Sequence, residues 1–134
     1  MKRIIVSFVL VAGLAAGVAV AQQGHEAHKA AKPAAEKTIT GELVDMGCYV
    51  GHGAKGEKHV DCATKCIANG MPMGVLTADG ALYLVTLNHD NGDPYNALKN
   101  MAGKTVTVTG AVSTRNGVKA IDVTAAKEMA ANVK

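Results

Sequence analysis

The sequence predicts a mainly β protein: a small five-stranded OB-like Greek-key barrel with two short helices, preceded by a signal peptide and a flexible linker. Three observations predict this architecture. Five short runs of alternating or β-branched residues are separated by turn signals. One helical pattern precedes the second run, and another separates the third run from the fourth, an order that suits a barrel of the OB type. The N-terminal composition differs sharply from that of the remaining chain.

The first 21 residues predict export. Lys2 and Arg3 supply a positive start, residues 4–21 form an uncharged and largely apolar run, and a small-x-small cleavage motif ends at Ala21. We therefore expect cleavage between Ala21 and Gln22 and a periplasmic or secreted protein. The alternative is an uncleaved segment, whose eighteen residues lie at the lower limit for spanning a bilayer. Such a segment is the only membrane association that the sequence predicts.

The mature chain is nearly neutral. Removal of Lys2 and Arg3 lowers the basic residues from 14 to 12, while all 11 acidic residues remain, so the net charge falls from +3 to about +1. A protein that binds nucleic acid by electrostatic attraction carries a basic face. We therefore expect no nucleic-acid partner.

The remaining chain divides into a linker and one domain. Residues 22–37 (QQGHEAHKAAKPAAEK) contain no large apolar residue, and such a segment buries too little surface to offset its ordering entropy. Residues 38–134 form the predicted barrel domain with its Cys/His cluster. A domain of fewer than a hundred residues buries a modest fraction of its surface, so metals or disulfides become useful to its stability.

Alternation and turn chemistry predict the strands. In the first strand Ile39, Gly41 and Leu43 alternate with more polar neighbours, which is typical of a half-buried strand. Asp79-Gly80 and Asn116-Gly117 lie between apolar runs, and such pairs are strong hairpin signals. The five predicted strands are residues 38–46, 73–77, 81–87, 104–113 and 118–124.

Two short helices fit between these strands. The first covers residues 61–69 and stops at Gly70, and the second covers residues 94–101 with Asp93 as its N-cap. The polar residues 88–93 lack the spacing of an EF-hand loop, so they predict a capped turn before the second helix.

The stretch CYVGHGAKGEKHVDCATKC, residues 48–66, holds all three cysteines and two of the five histidines. Cys62 and Cys66 are four residues apart in the first predicted helix, so both thiols project from one face. Cys48 and His52 are also four residues apart, in a glycine-rich loop that follows the first strand. An odd number of cysteines in an exported chain calls for an explanation, because oxidising compartments favour paired thiols.

A metal site uses all three thiols. Thiolates one helical turn apart can share an ion at about 2.3 Å from each sulfur, and Cys48 adds a third ligand. His52 is the favoured fourth ligand and His59 the reserve, which gives a Cys3His set for zinc or copper. Asp45 is expected either to orient a ligating histidine by a hydrogen bond or to lie on the surface at the strand end. Covalent c-type haem is not expected, because C-x-x-C-H is missing from the sequence.

The choice between zinc and copper stays open. Zinc suits a closed structural site, whereas soft thiolate ligands also suit Cu(I). Met46, Met71 and Met73 flank the cluster and would favour copper if they faced it. Core packing is the alternative interpretation of these methionines.

A disulfide is the alternative to a metal. Cys48 can pair with Cys62 or Cys66, whereas a bond between the two helical cysteines would be strained. In this interpretation the chain is a disulfide-stapled interaction module that docks on a larger envelope protein complex or binds a small ligand. An enzyme is the least favoured class, because Ser113 is the only serine after the signal peptide and no carboxylate pair stands out.

Two segments carry a resemblance to known bacterial proteins. Residues 94–123, a short helix followed by GKTVTVTGAV and a hairpin, resemble the second half of bacterial periplasmic OB-like domains. The pattern Asp45-x-x-Cys48, a nearby histidine and Cys62-x-x-x-Cys66 before a glycine-containing turn resembles a group of small secreted bacterial proteins of unassigned function. The resemblance covers roughly residues 38–124 and implies the fold, but it implies no activity.

Overall fold

The computed structural model describes residues 35–130. The predicted signal peptide, its cleavage site at Ala21 and Gln22, and nearly all of the predicted linker lie outside the described residues. The strands are β1 (Glu36–Asp45), β2 (Met73–Leu76), β3 (Leu82–Leu87), β4 (Thr105–Arg115) and β5 (Val118–Glu128). The helices are α1 (Met46–His52), α2 (Val60–Ala68) and α3 (Asp93–Leu98), with a 3-10 turn at Glu57–His59.

The five strands close into a barrel in the order β1-β2-β3-β5-β4, with β4 pairing back to β1. The β3–β5 pair is parallel, and the other four pairs are antiparallel. Both predicted hairpin turns form: Gly80 has a φ of 85°, and Asn116 and Gly117 have φ values of 50° and 84°. The predicted fold class, a mainly β five-stranded barrel with short helices, is confirmed.

Strand β1 changes partner along its length. Residues 36–42 pair with β4, and residues 42–45 pair with β2. A Cβ atom on Gly41, at this changeover, would collide with the carbonyl oxygen of Leu76. Only glycine allows the two backbones to approach so closely. This approach lets β1 continue along β2 as far as Asp45, where α1 begins.

The core fills the barrel and extends under the helices. Val106 and Val108 of β4 are fully buried, as the alternation in that strand predicts. Helix α2 packs against the barrel through Ala63 and Ile67, and α3 contributes Leu98. The buried apolar residues are Ile39, Leu43, Val44, Ala63, Ile67, Met73, Val75, Leu76, Val85, Leu98, Ala102, Val106, Val108, Ile121 and Val123.

The helices differ from the sequence prediction in three places, of which the smallest is that the first predicted helix begins and ends one residue earlier, at Val60–Ala68. Residues 46–52, predicted as the end of a strand and a loop, form α1. The second predicted helix begins one residue earlier, with Gly92 rather than Asp93 at its N-cap, and ends at Leu98. The capped turn before it is as predicted, because Asn88 Oδ1 accepts hydrogen bonds from the backbone N–H groups of two following residues. Within residues 35–130, no helix combines the length and apolar character needed to cross a membrane.

Candidate metal centre

Asp45 places Cys48. Asp45 is the last residue of β1 and the N-cap of α1, and its Oδ1 accepts a hydrogen bond of 2.8 Å from the backbone N–H of Cys48. Gly53, with a left-handed φ of 68°, ends the helix, and its N–H bonds to carbonyl groups of the preceding turn. The cap at one end and the glycine at the other hold Cys48 in a helix of only two turns.

Helix α2 presents the other two thiols. Because Ala63 and Ile67 face the barrel, Cys62 and Cys66, each one position earlier in the helix, lie beside that buried face. The three Sγ atoms of Cys48, Cys62 and Cys66 all lie within 4.8 Å of one another. Two thiolates on a tetrahedral zinc ion are about 3.8 Å apart, given bonds of about 2.3 Å. Small side-chain rotations therefore suffice to enclose an ion.

A second donor group adjoins the three thiols. Ligand atoms of Asp45, Cys48 and His59 also lie within 4.8 Å of one another. His59 Nε2 is 3.0 Å from Asp45 Oδ2, and the carboxylate is fully buried while the histidine side chain is 18% exposed. Because Cys48 belongs to both groups, five potential metal-binding side chains converge on one place, which we call the Cys/His/Asp cluster: Asp45, Cys48, His59, Cys62 and Cys66.

The chain before α2 is held in position by a second carboxylate. Glu42 of β1 accepts a hydrogen bond from the backbone N–H of Gly56, whose φ is 76°. The backbone N–H of His59 in turn donates to the carbonyl oxygen of Gly56 at 2.9 Å. Glu42 and Asp45, both on β1, therefore anchor the segment that delivers His59 to the cluster.

The surroundings of Cys48 and Cys66 raise the pKa of both thiols, which keeps these two protonated when no metal is bound. Burial, the neighbouring Asp45 carboxylate and Cys62 together raise the pKa of Cys48 to about 12, with burial as the largest cause. Burial and the hydrogen bond with Cys62 also raise the pKa of Cys66. A reactive thiol needs a lowered pKa, so these two cysteines suit metal binding better than nucleophilic chemistry. An ion would have to displace their protons.

The structure brings together the three predicted cysteines, the reserve ligand His59 and Asp45. Asp45 was expected either to orient a histidine or to lie on the surface, and it is buried. Its carboxylate contacts His59, which agrees with the first of these expectations. Among the described residues, neither donor group includes His52, the favoured fourth ligand, which is exposed at the end of α1.

The flanking methionines pack against the fold. Met73 is fully buried in the core. The side chain of Met46 lies against Gly74, and a Cβ atom on Gly47 would lie 2.6 Å from Met71 Sδ. The contacts of Met46 and Met73 agree with the packing interpretation, whereas Met71 is 37% exposed and lies against the residue that precedes Cys48.

Sequence reasoning missed Glu42. Its hydrogen bond to Gly56 joins residues 14 apart across a loop whose course the sequence does not reveal. A glutamate on a strand carries no signal of such a contact.

Comparisons with protein-family models, curated proteins and solved structures find nothing that matches the chain. The interpretation of the cluster therefore depends on its own geometry.

Proposed function

We propose that this chain is an exported metal-binding module that holds one zinc or copper ion in the Cys/His/Asp cluster. The observation that carries the proposal is the convergence of three sulfur atoms from α1 and α2 within 4.8 Å of one another. The composition of residues 1–21 supports export. The role of the module is structural or accessory, and no reaction is assigned to it.

The donor set favours zinc or copper over harder cations. Three thiolates bind borderline and soft ions, whereas calcium and magnesium take oxygen ligands. Cys48, Cys62 and Cys66 supply the sulfur ligands in this proposal. His59 supplies the fourth ligand, and the buried Asp45 carboxylate fixes its ring, as carboxylates do for metal-bound histidines.

Two measurements on the purified protein, prepared without reductant, test the proposal. Elemental analysis is expected to find about one equivalent of zinc or copper per chain. Titration of the denatured, chelator-treated protein is expected to find three free thiols. The variant Cys66→Ser should lose the ion, while His89→Ala, whose exposed histidine belongs to neither donor group, should retain it.

A disulfide-stapled interaction module is the second candidate, because the same sulfur proximity allows Cys48 to bridge with either helical cysteine. Its partner would be a larger envelope complex or a small ligand. This candidate predicts a folded, metal-free protein with one bridge and one free thiol. That outcome would overturn the metal proposal.

A further inference from the structure

We infer that the Cys/His/Asp cluster is a transfer site: it releases its ion to an acceptor that presents thiolate or imidazole ligands, by a ligand exchange that begins at Cys62. The inference rests on the proposed function, since a transferable ion must first be bound. It adds to the proposed function the side from which the ion is exchanged and the class of partner that receives the ion.

The five donor side chains are graded in exposure. Asp45 is fully buried and the His59 side chain is 18% exposed, while Cys48 and Cys66 are half-buried and Cys62 is exposed. An ion in the cluster would therefore be covered by protein on the Asp45 side and open to solvent on the Cys62 side. Because the protein supplies all four ligands in the proposed site, an acceptor has to displace one of them, and Cys62 is the most exposed. The grading gives an incoming ligand access from one side.

The fold supplies its own core, so an ion can leave without unfolding the domain. The barrel interior consists of aliphatic side chains from all five strands. Helix α2 is fixed to this core by Ala63 and Ile67, which are 2% and 3% exposed. Helix α1 is capped by Asp45 through a hydrogen bond that needs no metal. Zinc-finger domains differ in this respect, because without their ion they are unfolded.

The exchange is a substitution at the ion and involves no redox step. A thiolate of the acceptor forms a bond to the metal as the bond from Cys62 Sγ breaks, and the oxidation state of the ion is unchanged. The released Cys62 thiolate takes a proton from solvent, and the acceptor thiol has given one up. Cys66 and Cys48 are replaced in the same way.

Lys65, exposed and three residues after Cys62 on the same helix, offers a positive charge to an anionic acceptor.

The first experiment measures how release depends on the acceptor. The full chain is loaded with one equivalent of Zn²⁺ and mixed with a chromophoric chelator, 4-(2-pyridylazo)resorcinol, at several concentrations in excess. We expect the rate of zinc transfer to rise in proportion to the chelator concentration, because the acceptor attacks the bound ion. A slow rate that does not change with chelator concentration would overturn the inference, since it shows that the ion leaves a closed site unaided.

The second experiment locates the point of attack. On α2, residue 65 neighbours residue 62, whereas residue 64 faces away from it. Lys65→Trp should therefore slow transfer at least fivefold with unchanged zinc affinity, while Thr64→Trp should not. Lys65→Ala removes the same positive charge without adding a bulky side chain. Comparing it with Lys65→Trp therefore separates the loss of charge from steric blocking. Equal rates for the two tryptophan variants would overturn attack at Cys62.

The two proposals fail in different ways. A protein that binds neither zinc nor copper overturns the proposed function. A protein that binds zinc tightly and releases it independently of the acceptor leaves the proposed function standing and overturns only the transfer.

Discussion

Asp45 connects the barrel to the cluster through three different groups. Its backbone ends β1, one carboxylate oxygen caps α1, and the other contacts His59. A fully buried carboxylate is costly unless its oxygens are bonded, and here both of them are. This residue therefore makes the positions of Cys48 and His59 depend on one strand end.

The fourth ligand can be identified by comparing two histidines. His59→Ala should weaken zinc binding at least tenfold, because it removes a donor that lies beside Cys48 and is held by Asp45. His52→Ala should change the affinity by less than twofold. Competition with a chromophoric chelator measures both values, and the reverse order would restore His52 as the ligand.

Glu42 is expected to position the cluster without touching the ion. Glu42→Ala removes the acceptor for the Gly56 N–H and should lower zinc affinity by about tenfold, within the range known for residues that support metal ligands. Glu42→Gln keeps a side-chain oxygen at the same place and should recover most of the loss. Equal losses in both variants would show that the carboxylate charge, rather than the hydrogen bond, is what matters.

Metal binding should release protons. The raised pKa values of Cys48, about 12, and Cys66 mean that both thiols are protonated at pH 7 to 8 without metal, whereas bound cysteines are thiolates. Zinc binding should therefore release at least two protons, and affinity should rise roughly a hundredfold for each pH unit gained in this range. An indicator dye in weakly buffered solution counts the protons. Fewer than one proton per ion would contradict thiolate ligation.

The sequence could identify the three cysteines that converge but not the histidine that lies beside them. Cys62 and Cys66 are one helical turn apart, and this spacing alone places both thiols on one side of α2. The same spacing argument favoured His52 as the partner of Cys48. The position of His59 depends instead on buried contacts with β1, through Asp45 and the Gly56 loop. Such tertiary contacts leave no periodic trace in the sequence.

At the scale of elements, the close approach of β1 and β2 predicts that a larger side chain at position 41 destabilises the fold. Gly41→Ala should lower the free energy of unfolding by about 1–3 kcal/mol, because the new Cβ would collide with the Leu76 carbonyl oxygen and lie close to Val75. Gly51→Ala is the matched control: its Cβ meets nothing within 4 Å, and alanine favours the helix by up to about 1 kcal/mol. Urea denaturation measures both. A neutral Gly41→Ala would contradict the proposed contact.

Strand alternation and the two glycine turns were sufficient to predict the five strands, because each pattern repeats over several residues. Helix α1 was missed because it is short and contains Gly47 and Gly51, which have low helix propensity. Its signals were the flanking residues: Asp45 as an N-cap and Gly53 as a left-handed terminator. The α1 helix is therefore defined by its ends rather than by its composition.

At the scale of the whole molecule, the barrel should stay folded without metal. Removal of zinc by EDTA should leave the β-sheet circular dichroism signal intact at 25 °C, because the core is complete without the cluster. The melting temperature should fall, since an ion that binds the folded state more tightly than the unfolded chain stabilises the fold, by up to about 4 kcal/mol at a thousandfold excess over Kd. In Cys66→Ser the melting temperature should no longer respond to zinc. Unfolding on metal removal would contradict both the separate core and the transfer site.

The closed barrel also implies an order of events during folding. Closure requires β1 to meet β4, and Thr38 and Thr109, which hydrogen-bond across that seam, are 71 residues apart. All five side chains of the cluster lie within residues 45–66, so their encounter needs only a short loop. Short loops close in well under a microsecond, whereas barrels dominated by distant contacts fold in milliseconds to seconds. We therefore expect the three thiols to meet long before the barrel forms, so the newly made chain can capture an ion, or oxidise, while it is still largely unfolded.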